Sequence, residues 1–410
     1  MLANTNKKSL SLSWSLIDQG AISATNFLTI FLGAYFLDVE EQAKIAFFYI
    51  FIIATTLFNA AFYFASAPFL KNKWKNDPAY FTSLKYVNLR LSAPVAFVIT
   101  LASFFASDLP KWEMGWIDVA LIFFNIIFFQ CFDFYRRSHY LFGSTSHAAN
   151  SSLLNGTLRL SLIFLYTPSS ATQFLIIILF SSVFSLIPSW IVANKKGVFD
   201  SSLIKEHVFY SRWSIGNVLP QWIAIHSPIA LAGLFLEAKV IAVLLTLRSV
   251  TTVFNVVLEL FETYLPAKLI QLKCEGDLEP QRDFIKKTYA FGLSLSFFIG
   301  FLFAMYGERL IKISIGEEYS SYWHILLLFW IGNTLYFVGR LSAIVLRVQG
   351  GPMHEFIGSV VGSLIVLVIM STVDNLNVIE ITIMLVFTQL AIYLSQIFSS
   401  FIVVKNRHEE

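Results

Sequence analysis

WSLIDQGAISATNFLTIFLGAYFL, residues 14–37, is long and apolar enough to cross a membrane as one helix, yet its first two-thirds is rich in polar side chains. A helix needs about 20 residues to span about 30 Å of hydrocarbon. At about 100° per residue the polar side chains fall within an arc of about 160°. Because polar groups in hydrocarbon face a bundle interior or a water-filled cavity, this face is predicted to line a cavity, with hydrogen bonding between packed helices as the alternative. The polar residues are Asp18, Gln19, Ser23, Thr25, Asn26 and Thr29.

The composition is that of an integral membrane protein. Of the 410 residues 56% are hydrophobic and only 13% are charged, whereas soluble domains are about one-quarter charged. The net charge of +3 is small and spread along the chain, so nucleic acid is not an expected partner. The two cysteines, Cys131 and Cys274, are too few for a disulfide framework and are expected to be free thiols.

Twelve transmembrane helices are predicted, which makes the chain an all-α, multi-pass membrane protein. The distribution of lysine and arginine tests this count, since the cytoplasmic loops of membrane proteins carry more of both than the outer loops do. With the N-terminus inside, 20 of the 29 lie in inner segments, so both termini are predicted to be cytoplasmic. The predicted spans lie near 12–37, 45–70, 86–107, 116–135, 147–166, 172–193, 213–236, 240–265, 288–305, 323–346, 355–373 and 380–404.

Sequence matches between the two halves indicate an internal repeat. Trp14-Ser15 recurs as Trp213-Ser214, and TTLFN at 55–59 recurs as TTVFN at 251–255. Many transporters are built from two related halves. Six spans in each half make this a parallel repeat, because both halves then enter the membrane from the cytoplasm. The predicted domains are an N-lobe at 1–193, a cytoplasmic linker at 194–212 and a C-lobe at 213–410.

The eighth predicted span carries a narrow polar face around Arg248, a cation near mid-membrane. Such a cation must be paired with an acid or exposed to a cavity, and arginine suits bidentate contact with phosphate or carboxylate. An internal ion pair is the alternative. The other members of this face are Thr252, Asn255, Glu259 and Glu262.

Further polar residues inside the spans complete a predicted central cavity. His226, in the middle of the seventh span, could titrate near neutrality, although a lone buried histidine is more often simply hydrogen-bonded. The predicted substrate-binding residues of the central cavity are Arg248, Arg159, Arg340, Asn59, Asn255, Thr252, Asn26, Thr25 and Thr29. The candidates for coupling or gating are Asp18, Glu259, Glu262 and His226.

Several chemistries lack a sequence signature. The chain has no GxxxxGK[ST] nucleotide loop and no CxxC or HExxH metal spacing. No outer loop exceeds about 17 residues, too few for the extramembrane catalytic region of a sugar polymerase. Neither a cofactor, a metal nor an enzyme activity is therefore predicted.

The opening W14-SLID-Q19-G20-AISA-TNFL resembles the start of polysaccharide (O-antigen) flippases of the multidrug/oligosaccharidyl-lipid/polysaccharide (MOP) exporter superfamily. The resemblance implies a V-shaped bundle of two lobes in the bacterial cytoplasmic membrane. By alternating access it would flip an undecaprenyl-pyrophosphate-linked oligosaccharide, with that lipid-linked cargo, membrane lipids and a polysaccharide polymerase as partners. Drug-exporting relatives often place a coupling aspartate in the first helix, which Asp18 matches in helix number only.

Other functions stay open at this point. A cation-coupled multidrug antiporter would share the fold, although three cavity arginines argue against a cationic cargo. A membrane polysaccharide polymerase or ligase is disfavoured by the short outer loops. Asp18 lies 20 residues before Asp38, about 30 Å of helix, so it is expected at the cytoplasmic mouth, and its repeat counterpart Asn217 is uncharged.

Overall fold

The structure, a computed structural model, describes twelve α-helices, numbered here in chain order. The described residues are 2–64, 77–107, 115–142, 144–193, 197–236, 238–251, 265, 269, 272, 278–314, 317–349, 352–372 and 377–406. The helices are α1 Leu2–Phe36, α2 Val39–Asn59, α3 Pro78–Ser107, α4 Trp116–Phe142, α5 Thr145–Tyr166, α6 Ala171–Ala193, α7 Ser201–Phe235, α8 Ala238–Thr251, α9 Leu278–Ser314, α10 Trp323–Gln349, α11 Pro352–Thr372 and α12 Val378–Asn406.

The helices correspond one to one with the predicted spans, and the described residues contain no strand, so the all-α fold class is confirmed. Within the residues that the structure describes, eight helices are long and apolar enough to cross a membrane, namely α2, α3, α4, α6, α9, α10, α11 and α12. Several helices are longer than their spans: α1 begins at Leu2 and α9 covers Leu278–Ser314. Hydropathy marks only the apolar part of a helix, whereas backbone hydrogen bonding continues through its polar ends.

Helix positions repeat between the two halves. The first helix of each half ends at Phe36 and at Phe235, which are 199 residues apart. The fourth helices begin at Trp116 and Trp323, which are 207 residues apart, and each has 27 residues. These matching bounds extend the repeat from short sequence matches to whole helices.

The chain forms two compact units, Met1–Ile215 and Gly216–Glu410. The division falls inside α7. Part of the predicted linker, residues 201–212, forms the first turns of that helix. The predicted lobe boundaries stay a prediction.

Helices of each unit pack closely through small residues. In the first unit α1 lies along α5, and α4 lies along α6; in the second, α10 lies along α12. At Gly339 of α10 a Cβ atom would overlap the ring of Tyr393 of α12, so only glycine allows this approach. Small residues at such positions let membrane helices pack in van der Waals contact.

Candidate functional site

Asp18 forms a buried ion pair inside the first unit. Its side chain is fully buried, and Arg136 of α4 donates from Nη1 to Asp18 Oδ2 at 2.6 Å. Ser152 of α5 donates to Asp18 Oδ1 at 2.5 Å, and the Tyr140 hydroxyl donates to Oδ2. The carboxylate therefore faces its own helix bundle in this structure rather than an open cavity mouth. Its coupling or gating role stays a prediction.

A second acid, Asp133, extends this network. It accepts hydrogen bonds from Arg136 Nη2 at 2.7 Å and from Arg137 Nε at 2.9 Å. Asn59 donates from Nδ2 to Asp133 Oδ2 at 3.1 Å and to the Gln130 carbonyl at 2.9 Å. Asn59 is fully buried, so it holds α2 to α4 and does not line a cavity in this structure.

Sequence reasoning missed the network around Asp133. The fourth predicted span ends near residue 135, so it leaves out the adjacent pair Arg136 and Arg137, whereas both belong to α4. A local signal was available, since an acid three and four residues before two arginines can pair with both on a helix surface. Asp133 and Arg136 are almost fully buried, which makes the pairing part of the unit's core.

The polar face of α1 is turned into the first unit. Thr25 Oγ1 donates to the Ala21 carbonyl at 2.7 Å, and Thr29 Oγ1 donates to the Thr25 carbonyl at 2.7 Å. Asn26 Oδ1 accepts a hydrogen bond from the Tyr49 hydroxyl of α2. Thr25 and Thr29 are buried, as expected for the packing alternative. Contact of these residues with a cargo stays a prediction.

Arg159 is a buried cation held by neutral oxygen atoms. It is fully buried and donates to Ser181 Oγ at 3.2 Å, the Tyr49 hydroxyl at 3.3 Å and Asn155 Oδ1 at 3.1 Å. None of the ion pairs in the described part of the chain includes it. Burying a charge is costly unless it is paired or well hydrogen-bonded, and this network joins α2, α5 and α6 around Arg159.

In the second unit the predicted cavity residue Arg340 belongs to an ion cluster. Arg340 Nη1 donates to Glu355 Oε1 at 3.1 Å, and Arg347 donates from Nε to Glu355 Oε2 at 2.6 Å. Asn217, the counterpart of Asp18, approaches the same carboxylate at 3.5 Å. One acid, Glu355, thus accepts hydrogen bonds from two arginines.

A small cavity adjoins this cluster. Gln221, Arg340, Glu355 and Gln396 are among its lining residues, and its volume is about 10 Å³. A space of that size holds about one water molecule. It is too small to hold a sugar or a drug.

Arg248 differs from the other predicted cavity arginines, Arg159 and Arg340, because it is partly exposed and contacts an imidazole. Its Nη2 atom lies 3.2 Å from His226 Nδ1, and both side chains are half-buried. No ion pair among the residues described includes Arg248. Because guanidinium can only donate, His226 Nδ1 must be the acceptor, and the ring is then neutral with its proton on Nε2.

Four predicted members of this site lie outside the described residues: Thr252, Asn255, Glu259 and Glu262. Their predicted roles stay predictions. In the part of the chain that the structure describes, no group of three or more potential metal ligands occurs.

No protein-family model and no curated protein sequence matches the chain. It is similar to a solved structure of a MATE transporter in the straight conformation, with 12% identity over 98% of this chain and 96% of that chain, and a TM-score of 0.72. The chain has the MATE fold. A second similar structure is an outward-facing multidrug resistance MATE transporter of the MOP superfamily, with 15% identity over 98% and 96% and a TM-score of 0.69. The predicted MATE-like, MOP-type fold is thereby confirmed.

The same MATE fold occurs in a MOP superfamily transporter from Pyrococcus furiosus, with 14% identity over 96% of this chain and 95% of that chain, and a TM-score of 0.61. For that protein, reverse polarity of the binding pocket suggests a different function. Identities this low establish the fold alone and not the cargo that is transported.

Proposed function

We propose that this protein is a membrane transporter that flips an anionic, lipid-linked cargo, an undecaprenyl-pyrophosphate-linked oligosaccharide, across the bacterial cytoplasmic membrane by alternating access. The observation that carries the proposal is Arg248, a partly exposed cation on α8 whose described partner is a neutral imidazole. A guanidinium in this situation suits a phosphate group, which it can bind through two parallel hydrogen bonds.

The buried acids of the helices support an anionic cargo. Asp18 and Asp133 pair with arginines in the first unit, and Glu355 pairs with two arginines in the second. In the part of the chain that is described, these carboxylates are occupied by internal cations. They therefore offer no free negative charge to a cationic drug, whereas Arg248 offers a positive one.

The fold supports transport more broadly. The solved structures with this fold are described as transporters, and one of them is described as having a binding pocket of reverse polarity. The fold is thus compatible with binding pockets of either charge. Within such a fold the lipid tail of the cargo would stay in the bilayer while the pyrophosphate and sugars pass along the protein.

Complementation of a bacterial strain that lacks its own O-unit flippase tests the proposal. The wild-type chain should restore surface glycan for at least one of several repeat-unit structures. Arg248→Ala should abolish it at unchanged protein level, and Arg248→Lys should retain part of it because the charge remains. The matched control is Arg90→Ala, an exposed arginine bonded to Tyr86, which should have no effect. Normal glycan with Arg248→Ala would overturn the proposal.

A cation-coupled multidrug antiporter is the second candidate, and the similarity to a multidrug resistance MATE transporter favours it. Cells that express the protein would then extrude a cationic dye, and a collapsed ion gradient would stop the extrusion. The anionic-cargo proposal expects no such efflux. A polysaccharide polymerase or ligase would instead change glycan chain length or attachment and leave flipping of single units intact.

A further inference from the structure

We propose that His226 and Arg248 form a proton-controlled anion site, in which a neutral His226 holds Arg248 and a protonated His226 joins Arg248 in binding the phosphate groups of the cargo. This inference rests on the proposed function, since it concerns the same arginine. It adds a second ligand, His226, and a rule for when the site can bind.

The geometry gives the pair two alternative states. With Arg248 Nη2 at 3.2 Å from His226 Nδ1, the imidazole must present a lone pair, so its Nδ1 carries no proton. When Nδ1 takes up a proton from water, both groups become donors and the hydrogen bond between them is lost. Two donors that no longer bond each other are free to bind one acceptor, such as a phosphate oxygen.

Charge favours an anion in the second state. Two cations a few ångströms apart repel each other, most strongly where water is scarce, and an anion between them removes the repulsion. Proton binding and anion binding therefore strengthen each other by the same factor, as linkage requires. The cargo would bind with uptake of one proton and leave when that proton is lost.

The surroundings leave this charge uncompensated by the described residues. Besides Arg248 of α8, the titratable group that acts on the pair is Tyr336 of α10, which lies near enough to Arg248 to interact with its charge. Trp222, one turn before His226 on α7, stacks against the imidazole with ring centroids 6.4 Å apart. Stacking fixes the plane of the ring, and both members of the pair remain partly exposed, so an anion can reach them.

Binding of farnesyl pyrophosphate, a short polyprenyl pyrophosphate, to the full-length protein in lipid nanodiscs tests the site. Affinity measured across the range from acid to mildly alkaline pH should rise on acidification by up to about tenfold per pH unit, the limit for one linked proton. His226→Gln keeps a polar side chain of similar size but cannot be charged. It should retain only the weak pH dependence that comes from the probe's own titration.

Two outcomes of this experiment separate the inference from the proposed function. If the wild-type protein fails to bind the probe at every pH, the proposed function fails. If the wild-type protein and His226→Gln bind with the same pH profile, the proton-controlled site is wrong while the proposed function stands. His324 is a histidine of the same unit whose ring contacts that of Trp323, and His324→Gln should behave as the wild type.

A measurement on the wild-type protein does not depend on the folding of any variant. Calorimetry in buffers of different ionisation enthalpy counts the protons taken up on binding. At about pH 8 the probe is fully ionised, because the second pKa of a phosphate is about 6, so any proton taken up must go to the protein. Uptake of up to one proton per bound probe is expected, and zero uptake at this pH would overturn the inference.

Discussion

Asp133 and Arg340 occupy the same position in the two halves of the chain and carry opposite charges. They lie 207 residues apart, as do the first residues of their helices, α4 and α10, which have the same length. Asp133 accepts hydrogen bonds from arginines of its own helix. Arg340 donates instead to Glu355 of the next helix. An equivalent site thus holds a buried ion cluster in each unit, built with the charges reversed.

The two clusters also differ in how their described charges pair. In the first unit Asp18 pairs with Arg136, and Asp133 pairs with both Arg136 and Arg137. In the second unit Arg340 and Arg347 share the carboxylate of Glu355. The second unit also holds Arg248, which is partly exposed.

Glu355→Gln should lower the free energy of unfolding by about 3 kcal/mol, because it removes the buried charge partner that Arg340 and Arg347 share. Reversible unfolding of the purified protein in mixed detergent micelles measures this. Asp283→Asn is the matched control, since it breaks the ion pair between Asp283 and Lys287. The side chain of Lys287 is 76% exposed and that of Asp283 is 61% exposed. Exposed pairs contribute roughly 0–1 kcal/mol. Equal effects of the two substitutions would contradict a stabilising role for the buried cluster.

Gly156→Ala should destabilise the first unit by about 1–3 kcal/mol, the usual cost of overpacking. A Cβ atom at Gly156 would lie 2.3 Å from Thr25 Oγ1, where α1 and α5 meet. The free energy of unfolding of single and double variants measures the effect. Adding Thr25→Ala removes the clashing hydroxyl and should restore most of the loss.

Gly20→Ala is the control for this experiment. Gly20 also lies in α1, but a Cβ atom there would meet nothing within 4 Å. Because alanine favours helix over glycine by about 1 kcal/mol, this substitution should be neutral or stabilising. A destabilising Gly20→Ala, or no rescue of Gly156→Ala by Thr25→Ala, would contradict the contact with Thr25 as the cause of the loss.

The fold was largely predictable from the sequence, because it follows from local properties. Runs of apolar residues identified the twelve helices, and the lysine and arginine bias together with the repeat gave a two-half organisation. The exact helix ends were not predictable in this way. The first turns of α7, at 201–212, are polar and fall within the predicted linker, yet they are helical. Hydropathy misses them because it does not record backbone hydrogen bonding.

The site was predictable only in part, because charge pairing depends on contacts between distant segments. The polar face of α1 draws attention to Asp18, but its partner Arg136 is 118 residues away and lies beyond the end of the fourth predicted span. Arg340 was predicted to face a cavity, and its partner Glu355 lies in the following helix. A single sequence gives the positions of intramembrane charges along each helix. It does not give the rotation of one helix against another, which decides which charges pair.

Asp18→Asn tests whether this carboxylate has a structural or a coupling role. The amide keeps the shape but loses the charge that faces Arg136 at 2.6 Å, so a loss of about 2–4 kcal/mol in the free energy of unfolding is expected. The pH dependence of cargo transport in the protein that does fold should stay unchanged. A normal stability combined with an altered pH dependence of transport would instead identify Asp18 as the coupling group.

His207 should make the stability of the first unit depend on pH. It lies in the predicted cytoplasmic linker, is fully buried, and burial lowers its pKa from 6.5 to about 4. Its Nε2–H donates to the Phe62 carbonyl, and Nδ1 accepts from the Tyr80 hydroxyl at 2.7 Å. Between these two pKa values the unfolded chain binds a proton that the folded chain does not. The contribution of His207 to the free energy of unfolding is therefore fully present above about pH 6.5. It is lost as the pH falls towards 4, by roughly 3 kcal/mol in total.

His207→Gln should remove this part of the pH dependence, because glutamine can still donate to the Phe62 carbonyl but does not titrate. Unfolding measured at closely spaced pH values between about 4 and 7 would give a flatter profile than that of the wild type. Phe62 lies in the π-helix Ala60–Phe64 that continues α2, and π-helical turns often occur at functional sites. If His207→Gln showed the same dependence of unfolding free energy on pH as the wild type, the prediction would be wrong. The loss of stability in acid would then come from protonation of another group.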